Sequence, residues 1–225
     1  VAFAGRYKLN NMILLWDDNG LSIDGVAQTD VDIPMRMRAA GWATESVDGD
    51  DFAQIIRAID SAKKSKIPVF IQCKTVLGRG SKYENNSKAH GLALTDAELN
   101  SLVHLYSNVR GNDLWRAYVQ KQMPVSAVKE KYSLPHVTML PVGDAMSTRE
   151  LSGIYLNELL KAGAKIIGGS ADLGGSTNVR VANSRDITAD NYSGNYINFG
   201  VREHAMGAIL NGMSASGMHV YGSTF

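Results

Sequence analysis

The chain has 225 residues, 23 basic and 22 acidic, and its formal net charge of +1 gives no electrostatic reason to expect nucleic acid or an anionic membrane as partner. Hydrophobic residues make up 44%, enough for a packed core in one large domain or two smaller units, and no apolar run approaches the ~20 residues that span a bilayer. The single cysteine, Cys73, excludes an internal disulfide and a multi-cysteine zinc site, and suits a reducing compartment.

The first residues, Val1–Leu9, read as the end of a helix and lack a targeting pattern. Asn11–Trp16 is a mostly apolar run and predicts a buried strand, stopped by the turn-forming cluster Asp17-Asp18-Asn19-Gly20. Pro34–Ala40 predicts a short helix with Pro in its first turn and Gly41 as its stop. Ala43–Val47 reads as a strand. Phe52, Ile55, Ile56, Ile59 and Ala62 recur at helical spacing, so 51–64 is expected to be an amphipathic helix. Pro68–Thr75 is apolar on both faces, as central parallel strands are. Thr95 and Glu98 have capping-box spacing and open a helix, and another short helix is expected over 114–122. The stretch 123–145, with Pro124, Pro135 and Pro141, reads as a linker. Beyond it Ser147 and Glu150 form a second capping box for a helix ending near Ala162. A strand over Lys165–Gly168, a helix over Glu203–Ala215 and a last strand ending the chain complete the pattern. Helices alternating with buried strands argue for an α/β fold of parallel sheets flanked by helices.

In open α/β sheets, ligands bind beyond the carboxyl ends of the strands. Three polar clusters fall there: Asp17–Leu21, Thr75–Ser81 and Gly169–Asn178. Asp17-Asp18-Asn19 offers hard oxygen donors of the kind Mg²⁺ takes, or is an ordinary strand exit. Gly78-Arg79-Gly80 can present N–H groups to a phosphate, or is simply a turn; no dinucleotide or Walker fingerprint accompanies it. His90 is a solvated loop histidine or an acid, base or phosphate donor. Arg149 lies in a first helical turn, where a cation opposes the macrodipole; exposure or ligand binding accounts for it. Glu203 at a helix start is explained by electrostatics or by function.

The motifs resemble one family in order. They are Leu15-Trp16-Asp17-Asp18-Asn19-Gly20-Leu21, Ala40-Gly41-Trp42, Val47-Asp48-Gly49-Asp50-Asp51, Cys73-Lys74-Thr75-Val76-Leu77-Gly78-Arg79-Gly80-Ser81 and His90-Gly91-Leu92-Ala93-Leu94. Ser147-Thr148-Arg149, Gly168-Gly169-Ser170-Ala171-Asp172-Leu173 and Asn198-Phe199-Gly200-Val201-Arg202-Glu203-His204-Ala205 follow. The chain thereby resembles an internal fragment of the transketolases.

That resemblance implies a thiamine-diphosphate-binding fold with parts of two domains: 1–122 from the diphosphate-binding domain, 123–145 as linker and 146–225 from the pyrimidine-binding domain. It implies ketol transfer between sugar phosphates in the pentose phosphate pathway, with thiamine diphosphate and Mg²⁺ (or Ca²⁺), in a cytoplasmic homodimer whose site lies between subunits. The fragment by itself is expected to be inactive. By resemblance, Asn19 gives Mg²⁺ a side-chain oxygen and touches the diphosphate, and Leu21 gives its carbonyl to the metal. His90 sits near cofactor and sugar. Arg149 and Ser176 hold the sugar phosphate. Glu203 is the catalytic glutamate that hydrogen-bonds the cofactor's aminopyrimidine ring, and Phe225 belongs to that ring's aromatic pocket. The Gly-Asp-Gly carrying a third metal ligand falls upstream of Val1. Two departures stand out. The span from His90 to Arg149 is shorter than in the family, and Gly174-Gly175 replaces a Pro-containing pair, which predicts a loose loop before Ser176. The alternatives are a non-catalytic half-subunit that works only with a partner chain, or a related thiamine enzyme such as a dihydroxyacetone synthase or deoxyxylulose-phosphate synthase.

Overall fold

A computed structural model describes residues 1–26, 31–91, 93–106, 134–137 and 145–225. The chain divides into two compact units, Val1–Gln122 and Met123–Phe225. The helix expected over 114–122, and the linker over 123–145 apart from 134–137 and 145, lie outside the described residues.

Unit 1 is built on a parallel sheet in which β5 (Val69–Lys74) runs between β1 (Ile13–Asp18) and β4 (Ala43–Asp48). β5 is buried along all but its last residue, as its two-faced apolar sequence predicts. Its side chains alternate between two cores. Val69, Ile71 and Cys73 pack with Val47, Ala58 and Ala62, under helix α3 (Phe52–Ala62). Phe70 packs on the other face with Ala4 of α1 (Ala2–Arg6), Met37 of α2 (Ile33–Ala39) and Trp42. Helices therefore cover both faces of the sheet. α2 is capped by Asp32, whose carboxylate accepts the Met35 N–H at 2.7 Å, and Gly41 follows it at φ 88°.

The first strand differs from expectation at its end. Asp17 and Asp18 belong to β1, not to the turn. The register sets Asp18 beside Lys74, and the carboxylates find partners there: Asp18 accepts from Gln72 Nε2 at 2.7 Å and from Lys74, and Asp17 accepts from Thr75 Oγ1. The turn begins at Asn19 and feeds a small hairpin, β2 (Leu21–Ser22) with β3 (Gly25–Val26). Downstream, α4 (Asp96–Tyr106) starts at the expected Thr95–Glu98 box, where Thr95 N donates to the Glu98 carboxylate at 2.8 Å.

Unit 2 carries a second parallel sheet, with β6 (Ile166–Ser170) between β7 (Tyr196–Asn198) and β8 (His219–Ser223). Helix α5 (Thr148–Lys161) opens with the full Ser147–Glu150 capping box and contributes Leu156 to a core with Val179 and Tyr196. Helix α6 (Glu203–Ala215) lies against β8, with Met206 its buried residue. β6 reaches Ser170, two residues past its expected end. Both sheets and their helices are those of the α/β layers expected from the sequence.

Candidate functional site

Each unit gathers its candidate residues at the carboxyl edge of its own sheet, where open parallel sheets bind ligands. In unit 1 the chain leaves β1 through Asn19, whose Oδ1 accepts the Leu21 N–H at 3.0 Å, and Gly20 takes φ 68°. This side-chain turn folds Asn19 and Leu21 onto one another, both half-buried. A cavity of about 470 Å³ opens beside it, lined among others by Trp16, Asp18, Gly20, Asp32 and Lys74. Burial acts to raise the Asp18 pKa, but the hydrogen bonds from Lys74 and Gln72 outweigh it and hold the carboxyl below its ordinary value.

His90 closes a short 3₁₀ turn, Ser87–His90, which starts where the Asn86 side chain accepts the Lys88 N–H at 3.0 Å. That turn packs against β2, so the structure brings the His90 segment to the hairpin that starts at Leu21. His90 itself is exposed. The Gly78-Arg79-Gly80 segment resolves as a turn. The Gly80 N–H, one of the groups read as able to meet a phosphate, donates instead to the Glu84 carboxylate at 2.8 Å, and the Arg79 side chain pairs with Asp50. A further polar pocket at this edge is lined by Asp48, Asp50, Lys74, Thr75 and Arg79.

In unit 2 all three strands end in step. Ser170 of β6 is the register partner of Asn198 of β7 and Ser223 of β8. The segments leaving them carry Ser176, Glu203 and Phe225 respectively, so three candidates follow the same edge. Buried Ser170 ties these exits together. Its Oγ donates to the Ser223 carbonyl at 2.9 Å and accepts the Leu173 N–H at 3.0 Å, and its carbonyl accepts the Phe199 N–H at 3.2 Å. Phe199 is fully buried and anchors the approach to Glu203; Arg202 Nη1 donates back to its carbonyl at 2.9 Å. Glu203 is the first residue of α6 and is exposed, as is Phe225 at 76%.

The loop before Ser176 is not loose. Gly174 lies so close to Tyr196 that a Cβ there would overlap its hydroxyl oxygen. The Gly174 carbonyl accepts from Val179 N and Arg180 N, and Leu173 O accepts from Thr177 N at 2.9 Å and Thr177 Oγ1 at 2.8 Å. Gly174 therefore permits close approach rather than slack, while Gly175 beside it faces open space. Ser176 is exposed on this tight turn. Arg149 is exposed in the first turn of α5, and one turn on, Gly153 packs against the Asn178 backbone, so the helix meets the Ser176 loop.

Sequence reasoning missed the partners that brace these loops. Arg180 makes a two-pronged pair with Asp186 and stacks over the Tyr196 ring at 4.5 Å, and Asn198 Nδ2 also donates to Asp186 at 3.0 Å. The Arg180 hydrogen bonds lower the Asp186 pKa and, with the Asn198 bond, outweigh the opposing effect of burial. Burial pushes the Tyr221 phenol far up, beside Tyr196. No residue spacing announces an Arg–Asp fork across an irregular loop.

Two family models match the chain: the transketolase thiamine diphosphate binding domain over residues 1–111, and the transketolase pyrimidine binding domain over 144–225. The chain is 32% identical to a transketolase of Rhodobacter capsulatus over 265 aligned positions, covering all of this chain and 39% of that protein. It is 31% identical to transketolase 1 of Saccharomyces cerevisiae, with 100% and 40% covered. Among solved structures, the Pichia stipitis transketolase complex with sedoheptulose-7-phosphate superposes with a TM-score of 0.80 at 32% identity, again covering 100% of this chain and 40% of the other. The Leishmania mexicana transketolase gives 0.74 at 26% identity. The chain thus spans about 40% of the length of the relatives it matches. With both family models matched in order and its strands laid out as in these structures, the chain belongs to the transketolase family.

Proposed function

We propose that the protein transfers a two-carbon ketol unit from a ketose phosphate to an aldose phosphate with thiamine diphosphate, in the pentose phosphate pathway, as a cytoplasmic homodimer. Sedoheptulose-7-phosphate, bound in the Pichia stipitis structure, exemplifies the donor class. The observation that carries this reading is the convergence of Ser176, Glu203 and Phe225 on the carboxyl edge of one sheet.

In this reading unit 1 holds the diphosphate and its Mg²⁺ (or Ca²⁺), and unit 2 addresses the pyrimidine ring, with the join within 123–145. The donor set fits a hard cation in part. Asn19 Oδ1 and the Leu21 carbonyl are neutral hard oxygens on one turn, and an amide oxygen holding one N–H keeps a second lone pair. Among the described residues no group of three His, Cys, Asp or Glu could hold a metal, so these two oxygens form part of a shell completed from elsewhere. When bound, thiamine diphosphate supplies the carbon nucleophile and electron sink for breaking and making the carbon–carbon bond. Glu203 would hydrogen-bond the cofactor's aminopyrimidine ring and set its tautomer. His90 moves or holds a proton at the sugar. Arg149 and Ser176 grip the sugar phosphate, the guanidinium as a fork.

The test is ketol transfer by the full-length gene product, with sedoheptulose-7-phosphate as donor and an aldose phosphate as acceptor. Transfer that requires added thiamine diphosphate and Mg²⁺ is expected. A product profile unchanged when thiamine diphosphate is withheld from stripped protein would refute the reading.

A further inference from the structure

Ser176 is exposed, and among the described residues its hydroxyl has no partner. Its placement therefore falls to its neighbours in the chain. On one side stands Gly175, where a Cβ would meet nothing within 4 Å. On the other stands Thr177, which is buried. The loop also passes through two non-glycine residues in the left-handed region, Asp172 at φ 63° and Asn178 at φ 56°. Such conformations persist where the surrounding bonds over-determine them.

Two buried hydroxyls supply such bonds, and both act on Leu173. Ser170 Oγ accepts the Leu173 N–H at 3.0 Å, and Thr177 Oγ1 donates to the Leu173 carbonyl at 2.8 Å. Both backbone groups of one residue are thus clamped shortly before Ser176. We infer, on the reading of Ser176 as a ligand of the sugar phosphate, that Ser170 and Thr177 are positioning residues that set the affinity of the site for that phosphate group.

The two clamps are unequal. The Leu173 carbonyl is also held by Thr177 N at 2.9 Å, and the Ser223 carbonyl, to which Ser170 Oγ donates, also accepts from Ala171 N at 3.2 Å. Each keeps a donor when a hydroxyl is removed. The half-buried Leu173 N–H has Ser170 Oγ as its acceptor and keeps none. An N–H left without an acceptor away from water is costly, so the backbone moves until it finds one. Ser170→Ala is therefore the more damaging change. The Phe199 N–H, on the approach to Glu203, bonds to the Ser170 backbone carbonyl, which either substitution retains. Removing the hydroxyls should thus reach Ser176 and spare Glu203.

Kinetics of the full-length enzyme with sedoheptulose-7-phosphate, and with the same sugar lacking its phosphate, test this. Ser170→Ala is expected to raise KM for the phosphorylated donor about tenfold and Thr177→Val about two- to threefold, with kcat and the KM of the unphosphorylated sugar little changed. Hydrogen exchange read by mass spectrometry, which needs no activity, is expected to quicken over 173–178 in Ser170→Ala and to keep the parent rate over 199–203. Ser176→Ala serves as the reference. A raised KM in that variant with none in Ser170→Ala would overturn the proposal and leave the Ser176 reading standing. An unchanged KM in Ser176→Ala would overturn both. Equal losses with the two sugars, or exchange quickened alike over both segments, would make Ser170 a general stabiliser of unit 2 and would also overturn the proposal.

Discussion

Asn19 Oδ1 accepts the Leu21 N–H at 3.0 Å, so the two residues proposed to share one metal ion are already joined within a single turn. The bond fixes the Asn19 amide plane before any cation arrives, and preorganisation of this kind lowers the cost of binding. Asn19→Ala removes both the turn and a metal oxygen. Its expected effect is a loss of Mg²⁺-dependent thiamine diphosphate affinity of at least about tenfold, the scale on which even supporting contacts to metals act. Leu21→Ile should leave affinity unchanged, because only its carbonyl is used. Isothermal titration of the cofactor in excess Mg²⁺ separates the two. A matching loss in both variants would mean that the hairpin, not the donor set, is what was damaged. The 225-residue chain itself is expected to bind weakly, since two neutral oxygens make an incomplete shell.

Gly174 and Gly175 are neighbours with opposite demands. A methyl group at Gly174 would run into the hydroxyl of Tyr196, a ring only 2% exposed, whereas nothing lies within 4 Å of a Cβ at Gly175. Gly174→Ala is therefore expected to destabilise unit 2 by about 1–3 kcal/mol through overpacking. Gly175→Ala should stay within about 0.5 kcal/mol of the parent. Urea midpoints of the two variants decide it. Equal midpoints would show that the loop yields, and the close approach would lose its structural meaning.

The Arg180–Asp186 pair gives unit 2 a pH dependence with a definite sign. Hydrogen bonds from Arg180 depress the folded Asp186 pKa below its ordinary value near 3.8. Stability from the pair is thus fully present above about pH 4, and is lost as pH falls through the depressed folded pKa. Both side chains are more than a third exposed, so solvent screening limits the pair to at most about 1 kcal/mol. Asp186→Asn should lower the urea midpoint at pH 7, and the deficit should shrink as pH falls below about 4. A deficit that persists undiminished at low pH would assign the loss to the Asn198 contact or to packing instead.

Much of this layout was legible in the sequence because it depends on local chemistry. Ser147 and Glu150 sit three residues apart and cap α5 as a box must, and the helical spacing of Phe52 to Ala62 became α3. The resemblance brought together candidates that no spacing joins, such as Ser176 and Glu203. What stayed hidden depends on register. Asp17 and Asp18 look like turn residues until β1 pairs with β5, which sets Lys74 and Thr75 beside them across more than fifty residues. The β2–β3 hairpin has two-residue strands, too short to show alternation. Gly174 read as slack because its constraint is Tyr196, distant in sequence and invisible without the fold.

Glu203 offers the sharpest separation of function from structure. It opens α6, where an acid favours the helix dipole, so Glu203→Gln removes a charge at a cost below about 1 kcal/mol. The approach to it depends on Phe199, buried completely, and on the Arg202 bond to the Phe199 carbonyl, and neither involves the Glu203 carboxylate. The substitution should therefore leave the unfolding midpoint nearly unchanged. A carboxylate that sets the tautomer of the cofactor ring cannot be replaced by an amide, which brings its own N–H donors. Turnover of the full-length enzyme is expected to fall by about 10² or more, the range of positioned acid–base groups, with sugar-phosphate KM little changed. Turnover and midpoint, measured side by side, tell the two roles apart: near-normal turnover in a folded variant would remove Glu203 from the chemistry and leave it as a helix-start residue.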